Sequence, residues 1–361
     1  MLLKHLVEYD NLEQEKQNII AKISGLSAEN EQDAALLDRI YKVLNTGTIG
    51  TNIETALKPP SADENMSDAE LQKHRQEVTK IISGLDSDYK SLNTFLKKLE
   101  SGGVVNIDAL NKPLNSLSAV FDNDPIAVKA FTALARYGVG VKQKGPGEFA
   151  LAMLSDKVRL ASGEGDLEID GIGKVELKAA LGSAGGRIGY GGGSQKAKRA
   201  VIDKYAERIP TVVANINANP GGSLGFSPFV NGLNADLPLS GPNAAENKQL
   251  RKQIATELFT MDIEGFTGPV ADAIAKSDKP EVIEKAYLEQ NFAWYKDRDN
   301  FDALLLISFS NLKSGMIKNA ADLTAFRNSG HAYGTRISII PTQAGAGREQ
   351  WAQLTLNKAK V

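Results

Sequence analysis

Cysteine is absent from the sequence, and histidine and aromatic residues are scarce. None of the 361 residues is cysteine, which excludes disulfides, zinc–thiolate sites and catalysis by a cysteine nucleophile. His331 is one of three histidines, and it has no second histidine at metal-ligand spacing, so it is more typical of a surface loop. Aromatic residues make up 6% of the chain, which argues against stacking on single-stranded bases as the main activity.

A strong net charge and a long apolar run are also missing. The formal net charge of −2 gives no general basic surface for nucleic acid, so an enzyme acting on DNA would use a local patch. No apolar run approaches the length of a membrane span, and we expect no membrane contact. The opening residues MLLKHLVEYD become polar after Val7, so we expect no secretion through a signal peptide.

The chain is long enough for two or three domains, and its first part is poor in glycine. Apolar residues recur at helical spacing among Glu, Gln and Lys within 1–103, and Ser67 with Glu70 forms a capping-box signature. We predict a helical N-terminal domain over 1–103, either a bundle or a coiled-coil arm. It would serve oligomerisation or docking to a larger assembly, or it would be a plain helical domain.

Residues 104–136 predict a helical connector, whose main helix opens at Asp124-Pro125 because proline in a first helical turn loses no hydrogen bond. Residues 210–245 are rich in glycine, proline and asparagine and predict loops. Other elements are predicted from periodicity: helices at Gln195–Ile209, Glu246–Phe259, Gly268–Lys276 and Pro280–Trp294, a buried strand at Phe301–Ser310, and closing strands at Arg336–Ile340 and Gln353–Leu356.

One stretch in the middle of the chain combines acidic residues in a specific order. Glu148 lies in a predicted helix, Asp166 begins a short predicted strand, and Glu176 and Lys178 occupy the next strand. The turn at 170–173, Asp-Gly-Ile-Gly, has the length of a hairpin connection. Because side chains alternate along a strand, Glu176 and Lys178 share one face. The hairpin would bring Asp166 close to Glu176.

An acidic cluster with an adjacent lysine suits a Mg²⁺ site. Mg²⁺ takes carboxylate oxygens and waters, often with only one or two protein carboxylates. Metal held in this way lowers the pKa of a bound water and clamps phosphate oxygens. A neighbouring lysine can orient or deprotonate the water and offset charge on the phosphorane. The alternative is an ordinary exposed hairpin with alternating charges.

Glu148, Asp166 and the Glu176-x-Lys178 pair resemble the active-site signature of the PD-(D/E)xK nuclease superfamily. In that family a helical Glu precedes an Asp and an ExK pair on a β-hairpin of a central sheet. The resemblance covers about 145–200, a minority of the chain. The proline that precedes the Asp in the family is replaced here by glycine.

The resemblance implies a fold and a set of roles. We expect an α+β protein in which a helical N-terminal region precedes a restriction-endonuclease-like domain over 137–361, with a central mixed β-sheet flanked by helices. The implied activity is hydrolysis of DNA phosphodiester bonds with Mg²⁺, or with Mn²⁺ as a substitute. Asp166 and Glu176 would hold the metal, and Glu148 would complete its inner or outer shell. Lys178 would orient or activate the attacking water.

A glycine-rich segment follows the ExK strand. Seven of the twelve residues from 182 to 193 are glycine. Glycine permits close backbone approach and positive φ, so such a loop can cradle a phosphate backbone. Arg187 is the residue that we assign to phosphate contact. The alternative is a flexible surface loop.

The predicted helix Gln195–Ile209 is locally basic. Lys196, Lys198 and Arg199 are candidates for DNA contact, against the alternative of a solvated charged face. In some branches of the nuclease family a glutamine on the helix after the ExK strand supports the site. Gln195 could match that glutamine.

A virion structural or assembly protein is the competing prediction. The lack of cysteine, the many glycines and the elongated helical N-terminus resemble bacteriophage proteins, so we expect the bacterial cytoplasm or the virion as location. The N-terminal helices would then form a homo-oligomer or virion interface together with 210–245, and the nuclease-like domain would be inactive or accessory. A sequence-specific restriction-type enzyme is a third alternative, for which no recognition module is visible.

Overall fold

The computed structural model describes residues 35, 39, 68–85, 89–138, 145–161, 163–180, 186–188, 195–218, 224–260, 268–329, 333–334, 336–337, 352–354 and 356. Except for residues 35 and 39, both helical, the helices predicted before residue 68 lie outside the described residues. The same holds for most of the glycine-rich segment and for His331.

The described elements are thirteen helices and eleven strands, several of them short. The helices are α1 Asp68–Ser83, α2 Tyr89–Glu100, α3 Ile107–Leu110, α4 Leu117–Val120, α5 Pro125–Gly138, α6 Pro146–Leu154, α7 Gln195–Lys204, α8 Pro210–Asn217, α9 Phe226–Asp236, α10 Ala244–Thr260, α11 Pro269–Lys276, α12 Pro280–Arg298 and α13 Ala320–Asn328. The strands are β1 Asn115–Ser116, β2 Val158–Leu160, β3 Leu167–Ile169, β4 Gly173–Ala180, β5 Gly186–Ile188, β6 Leu224–Gly225, β7 Ala303–Ser308, β8 Lys313–Ile317, β9 Tyr333–Gly334, β10 Arg336–Ile337 and β11 Ala352–Leu354.

The described residues divide into two compact units. The first lies within Met1–Ala184, Asn300–Lys318 and Leu356–Lys358, and the second within Gly185–Asp299, Asn319–Thr355 and Ala359–Val361. These units differ from the segments 1–103, 104–136 and 137–361 predicted from the sequence, because β7 and β8 belong with the first part of the chain. The division into domains with those three sets of bounds remains a prediction.

One mixed sheet of six strands forms the centre of the first unit, in the order β1-β8-β7-β4-β3-β2. β4 and β7 run parallel, with Val175 opposite Ala303 and Ala180 opposite Ser308. The other neighbours in this sheet are antiparallel. The predicted mixed sheet flanked by helices is confirmed.

Alternation along the strands gives this sheet a core face and an opposite face. On the core face, Leu167, Val175 and Leu305 are 0% exposed and join one apolar cluster with side chains of α1, α2, α5 and α6. All six residues of β7 are buried, as expected for a strand paired on both edges in the middle of a sheet. The predicted buried strand at Phe301–Ser310 is confirmed.

Helix α5 begins where the sequence predicted, at Asp124-Pro125. The Asp124 carboxylate accepts hydrogen bonds from the backbone N–H groups of Ile126 and Ala127, at 3.0 and 3.3 Å, which satisfies two of the unpaired donors of the first turn. Within the predicted helical segment 1–103, α1 and α2 are helices.

Helix α6 packs on both α5 and the sheet. Its residues Phe149–Leu154 are at most 2% exposed, and the ring of Phe149 lies 5.8 Å from the ring of Tyr137 on α5. At its first turn, Gly147 approaches the side chains of Leu177 and Ala179 on β4. The first turn of α6 therefore lies beside the second half of β4.

The second unit consists mainly of helices α7 to α13, with two small sheets. One sheet has the order β5-β11-β9 and the other pairs β10 with β6. The closing strands predicted near residues 336 and 353 are confirmed within the described residues as β10 and β11. The predicted helix Gln195–Ile209 ends earlier, at Lys204.

The prediction of loops over 210–245 is wrong, because α8 and α9 occupy much of that segment. A carboxylate distant in sequence caps α8: Asp236 accepts the N–H groups of Thr211 and Val212, at 2.9 and 3.3 Å. Gly232 lets the two helices approach, since a Cβ there would lie 2.8 Å from Cγ2 of Val212. Gly232 thus serves helix packing, and Pro210 begins a helix rather than a turn.

None of the helices among the described residues is long and apolar enough to cross a membrane.

The packing of α1, α5 and α6 leads to a prediction about Tyr137. Burial, with a smaller contribution from the Glu77 carboxylate, raises the pKa of the Tyr137 phenol to about 12. The hydroxyl also forms a hydrogen bond with Nδ1 of His74. An unfolded chain loses the phenolic proton near pH 10, about two pH units earlier.

The stabilisation from Tyr137 is therefore fully present below about pH 10 and is lost as the pH rises through about 12. We expect the near-ultraviolet absorbance of tyrosinate to show one late-titrating phenol fewer in Tyr137→Phe than in the native protein. The decrease in unfolding free energy between pH 9.5 and 11.5 should be smaller in that variant. An equal decrease in both proteins would contradict this assignment.

Candidate active site

The predicted hairpin forms between β3 and β4. Leu167 stands opposite Val175, and Ile169 stands opposite Gly173. The backbone N–H of Ile172 donates to the carbonyl of Ile169 at 3.0 Å and closes the turn. Asp166 directly precedes β3, and its N–H donates to the carbonyl of Val175 at 3.0 Å.

Glu176 and Lys178 lie on the face of β4 opposite the core. Their neighbours Val175 and Leu177 are 0% and 5% exposed on the core face. The Glu176 side chain is 12% exposed and the Lys178 side chain 30% exposed, and the two form an ion pair between Nζ of Lys178 and Oε1 of Glu176. The alternation predicted for this strand is confirmed.

The backbone of β4 fixes the carboxylate of Asp166. Its Oδ2 accepts a hydrogen bond from the N–H of Leu177 at 2.7 Å. Leu177 is the residue between Glu176 and Lys178, so Asp166 is attached to the strand between the two charged residues. Asp166 lies directly beyond the end of the paired register at Leu167 and Val175, where its own N–H donates to the Val175 carbonyl. The structure thus brings the Asp166 carboxylate to the backbone of β4 between the two members of the Glu176–Lys178 ion pair.

Glu148 lies in the first turn of α6. It is the third residue of α6, after the N-cap Gly145, and a methyl group on Gly145 would collide with the Glu148 carboxylate. A glutamate at this position reaches back to the N-cap residue in a capping box, and a negative charge there is favourable to the helix dipole. Its helix packs on the face of β4 that carries Leu177, opposite to the face of Glu176.

The described residues contain no group of three or more Asp, Glu or His side chains placed to hold a metal ion. Glu148, Asp166 and Glu176 are therefore not arranged as a three-carboxylate site with these side-chain conformations. Two carboxylates are enough for Mg²⁺, which keeps several waters. A carboxylate has about four lone-pair sites, so the hydrogen bond from Leu177 uses only part of the capacity of Asp166.

Charged residues that the sequence did not single out surround the hairpin. Lys174 pairs with Glu164 at 2.9 Å, and this hydrogen bond lowers the pKa of the Glu164 carboxyl and raises the pKa of the Lys174 ammonium. On the other side, Arg159 pairs with Asp170 at 2.6 Å. These pairs depend on strand register, so no local motif reveals them.

Asp302 connects the start of β4 to the start of β7. Its Oδ2 accepts the N–H of Lys174 at 2.8 Å, and its own N–H donates to the Lys174 carbonyl at 2.8 Å. The two residues are 128 positions apart in the sequence. No sequence pattern near either residue predicts this connection.

The predicted nucleic-acid contacts lie in the second unit. Arg187 is in β5, opposite Gln353, and Gln195 and Lys196 begin α7. Arg199 donates from Nε to Asp203 at 2.8 Å along the same helix.

Lys198 requires a correction. Its side chain is only 2% exposed, so it can neither form part of a solvated face nor reach a phosphate in this conformation. The cause is its position on the inner side of α7, whose amphipathic pattern also buries Val201 and Ile202, at 5% and 0% exposure.

No family model, curated protein or solved structure matches this chain.

The bond from Leu177 to Asp166 gives a prediction about stability. Asp166→Ala leaves the Leu177 N–H without its acceptor, so we expect the free energy of unfolding to fall by about 1–3 kcal/mol. Asp166→Asn keeps an acceptor oxygen and should retain most of the stability. Glu164→Ala is the control, since its ion pair with Lys174 is exposed and such pairs contribute little to stability. Denaturant unfolding of the four proteins would test this, and equal loss in Asp166→Asn and Asp166→Ala would contradict it.

Proposed function

We propose that this protein is a metal-dependent nuclease that hydrolyses phosphodiester bonds in DNA. The first unit would carry a restriction-endonuclease-like core, built on the mixed sheet and the helices that flank it. Asp166 and Glu176 would hold Mg²⁺ or Mn²⁺, Lys178 would orient or activate water, and Glu148 would complete the metal shell.

One observation carries the proposal: the Asp166 carboxylate is bonded to the strand between Glu176 and Lys178, at 2.7 Å from the Leu177 nitrogen. An ordinary hairpin with alternating charges needs no carboxylate at this place, since the N–H of Leu177 could pair with the neighbouring strand or with water. The result is an ion pair of Glu176 and Lys178 on a strand in the middle of a sheet, with a second carboxylate bonded to the backbone between them. Rigid elements of this kind hold reacting groups more precisely than loops do.

The donor set fits a hard divalent cation. Asp166 and Glu176 supply oxygen ligands only, which suits Mg²⁺ and Mn²⁺ and disfavours softer metals. When bound, such an ion would lower the pKa of a coordinated water and neutralise charge on phosphate oxygens.

Lys178 is placed to act on that water. Its ion pair with Glu176 keeps the ammonium beside that carboxylate on the same face of β4. A proton held on Nζ stabilises the charge that develops on the attacked phosphate, and the ammonium orients the incoming water by hydrogen bonding. The 30% exposure of this side chain leaves it accessible to a substrate.

The test is cleavage of supercoiled plasmid and linear DNA by the purified chain with Mg²⁺, with Mn²⁺ and with a chelator. We expect cutting with either metal and none with the chelator. Glu176→Ala and Lys178→Ala should each reduce the rate at least about 100-fold, the lower part of the range for loss of a general acid–base group.

Lys174→Ala is the matched control, because Lys174 lies on the same strand two residues from Glu176 and its side chain is 46% exposed. We expect this variant to cut DNA at nearly the native rate. Thermal unfolding of each variant verifies that the fold is intact. A native protein that cuts no DNA under any of these conditions, or a Lys174→Ala variant as impaired as Lys178→Ala, would refute the assignment of the site.

A further inference from the structure

The turn between β3 and β4 contains Asp170-Gly171, which is the one Asp-Gly pair in the sequence. The Asp170 side chain is 51% exposed, and Gly171 is exposed as well. Neither residue belongs to a strand, since β3 ends at Ile169 and β4 begins at Gly173. The hydrogen bond that closes the turn runs from Ile172 to Ile169. The peptide group between Asp170 and Gly171 therefore lies outside the paired backbone.

The backbone nitrogen of Gly171 is open to approach. The residue has a φ of +75°, and a Cβ built on it would have no atom within 4 Å. Its N–H donates a hydrogen bond to none of the residues that the structure describes. Because glycine has no side chain to obstruct this nitrogen, the side-chain carboxyl of the preceding aspartate can reach it.

The reaction between these two groups is an intramolecular dehydration, favoured because both partners belong to adjacent residues. The nitrogen of Gly171 attacks Cγ of Asp170 and forms an N–Cγ bond, while the amide proton and the carboxyl hydroxyl leave as water. The product is a five-membered succinimide. Water then opens the ring. Cleavage of the new N–Cγ bond returns aspartate, whereas cleavage between the nitrogen and the main-chain carbonyl carbon of Asp170 gives isoaspartate. The mass of the chain is unchanged, and neither an oxidant nor a cofactor takes part.

We propose that Asp170 is a modification site at which the folded protein forms isoaspartate spontaneously. The proposal concerns the turn itself and does not depend on the proposed nuclease function. Isoaspartate adds one methylene to the main chain of the turn, and the length of a turn sets the register of its hairpin. The modification therefore acts on the hairpin between Asp166 and Glu176.

Arg159 restrains the reaction. Its guanidinium donates to Oδ1 of Asp170 at 2.6 Å, so the carboxylate must leave this ion pair before it can react. The two side chains are 40% and 51% exposed, and exposed pairs of this kind are weak. The N–H of Asp170 also donates to the carbonyl of Lys157 at 2.9 Å, but that bond lies on the other side of the Asp170 Cα from the reacting peptide group. Arg159 thus slows the modification without preventing it.

The test is ageing of the full chain in its folded state, with the chain unfolded in urea aged in parallel. Isoaspartate is located in proteolytic peptides by electron-transfer fragmentation. We expect it to accumulate at position 170 of the folded chain at a rate within about 10-fold of the unfolded chain, because only an exposed ion pair and the local turn must rearrange. A folded chain without isoaspartate at this position, when the unfolded chain forms it, would overturn the proposal.

Asn231-Gly232 provides an internal control, because an Asn-Gly pair forms the same succinimide by loss of ammonia. This pair lies within α9, and Gly232 is buried, so its main chain cannot rotate until the helix opens. We expect folding to slow the modification of Asn231 at least about 100-fold, as for a segment that reacts only after local unfolding. Equal protection at positions 170 and 231 would contradict the assignment of Asp170 as an unprotected site.

Three variants identify the groups that react. Asp170→Glu keeps a carboxylate for Arg159 but would require a six-membered imide, so the modification at position 170 should be lost. Gly171→Asn places a Cβ beside the nitrogen while tolerating positive φ, and it should slow the reaction. Arg159→Ala should raise the rate by up to about 5-fold, the factor that an exposed ion pair represents.

Thermal unfolding of each variant verifies that the fold is intact before ageing. An unchanged rate in Gly171→Asn would overturn the attack by the Gly171 nitrogen. A rate that does not rise in Arg159→Ala would overturn the restraining role of Arg159.

Discussion

The candidate site depends on how β4 is held in the centre of the mixed sheet. On one edge it pairs in parallel with β7 over six residues, and every residue of β7 is buried. On the other edge it pairs with β3. Asp302 fixes the start of the strand through two backbone hydrogen bonds to Lys174, each 2.8 Å long. A strand fixed on both edges cannot slip by one residue without exchanging its two faces, so the face that carries Glu176 and Lys178 is determined by the register of the sheet.

The four predicted residues are held in two different ways. Asp166, Glu176 and Lys178 are fixed by strand backbone, through the hairpin and the bond to the Leu177 N–H. Glu148 is fixed by the first turn of a helix and lies against its N-cap residue. Interaction of a carboxylate with a helix N-terminus contributes only about 0.3–1 kcal/mol.

Local chemistry determined what could be predicted from the sequence. Asp124-Pro125 marks a helix start, the Asp-Gly-Ile-Gly turn marks a hairpin, and alternation from Val175 to Lys178 assigns faces; each signal lies within a few residues. The missed features depend on partners far apart in sequence. Asp236 caps a helix that begins 26 residues earlier, at Pro210, and Gly232 allows two helices to pack. For this reason the glycine and proline residues of 210–245 led to a wrong prediction of loops. Lys198 was misassigned because charge alone does not show which side of a helix faces inward.

Electrostatics at the hairpin couple the proposed metal and the proposed substrate. Asp166, Glu176 and Lys178 together carry one net negative charge, and the nearby cations Lys174 and Arg159 are already paired with Glu164 and Asp170. The whole chain has a net charge of −2, so no general basic surface offsets the repulsion between this hairpin and a phosphate backbone. A divalent cation on Asp166 and Glu176 would change the sign of the local charge from −1 to +1, and bound ions often dominate the local field in this way. For a nuclease built on this hairpin, metal binding would be required to attract DNA to the site as well as to activate water.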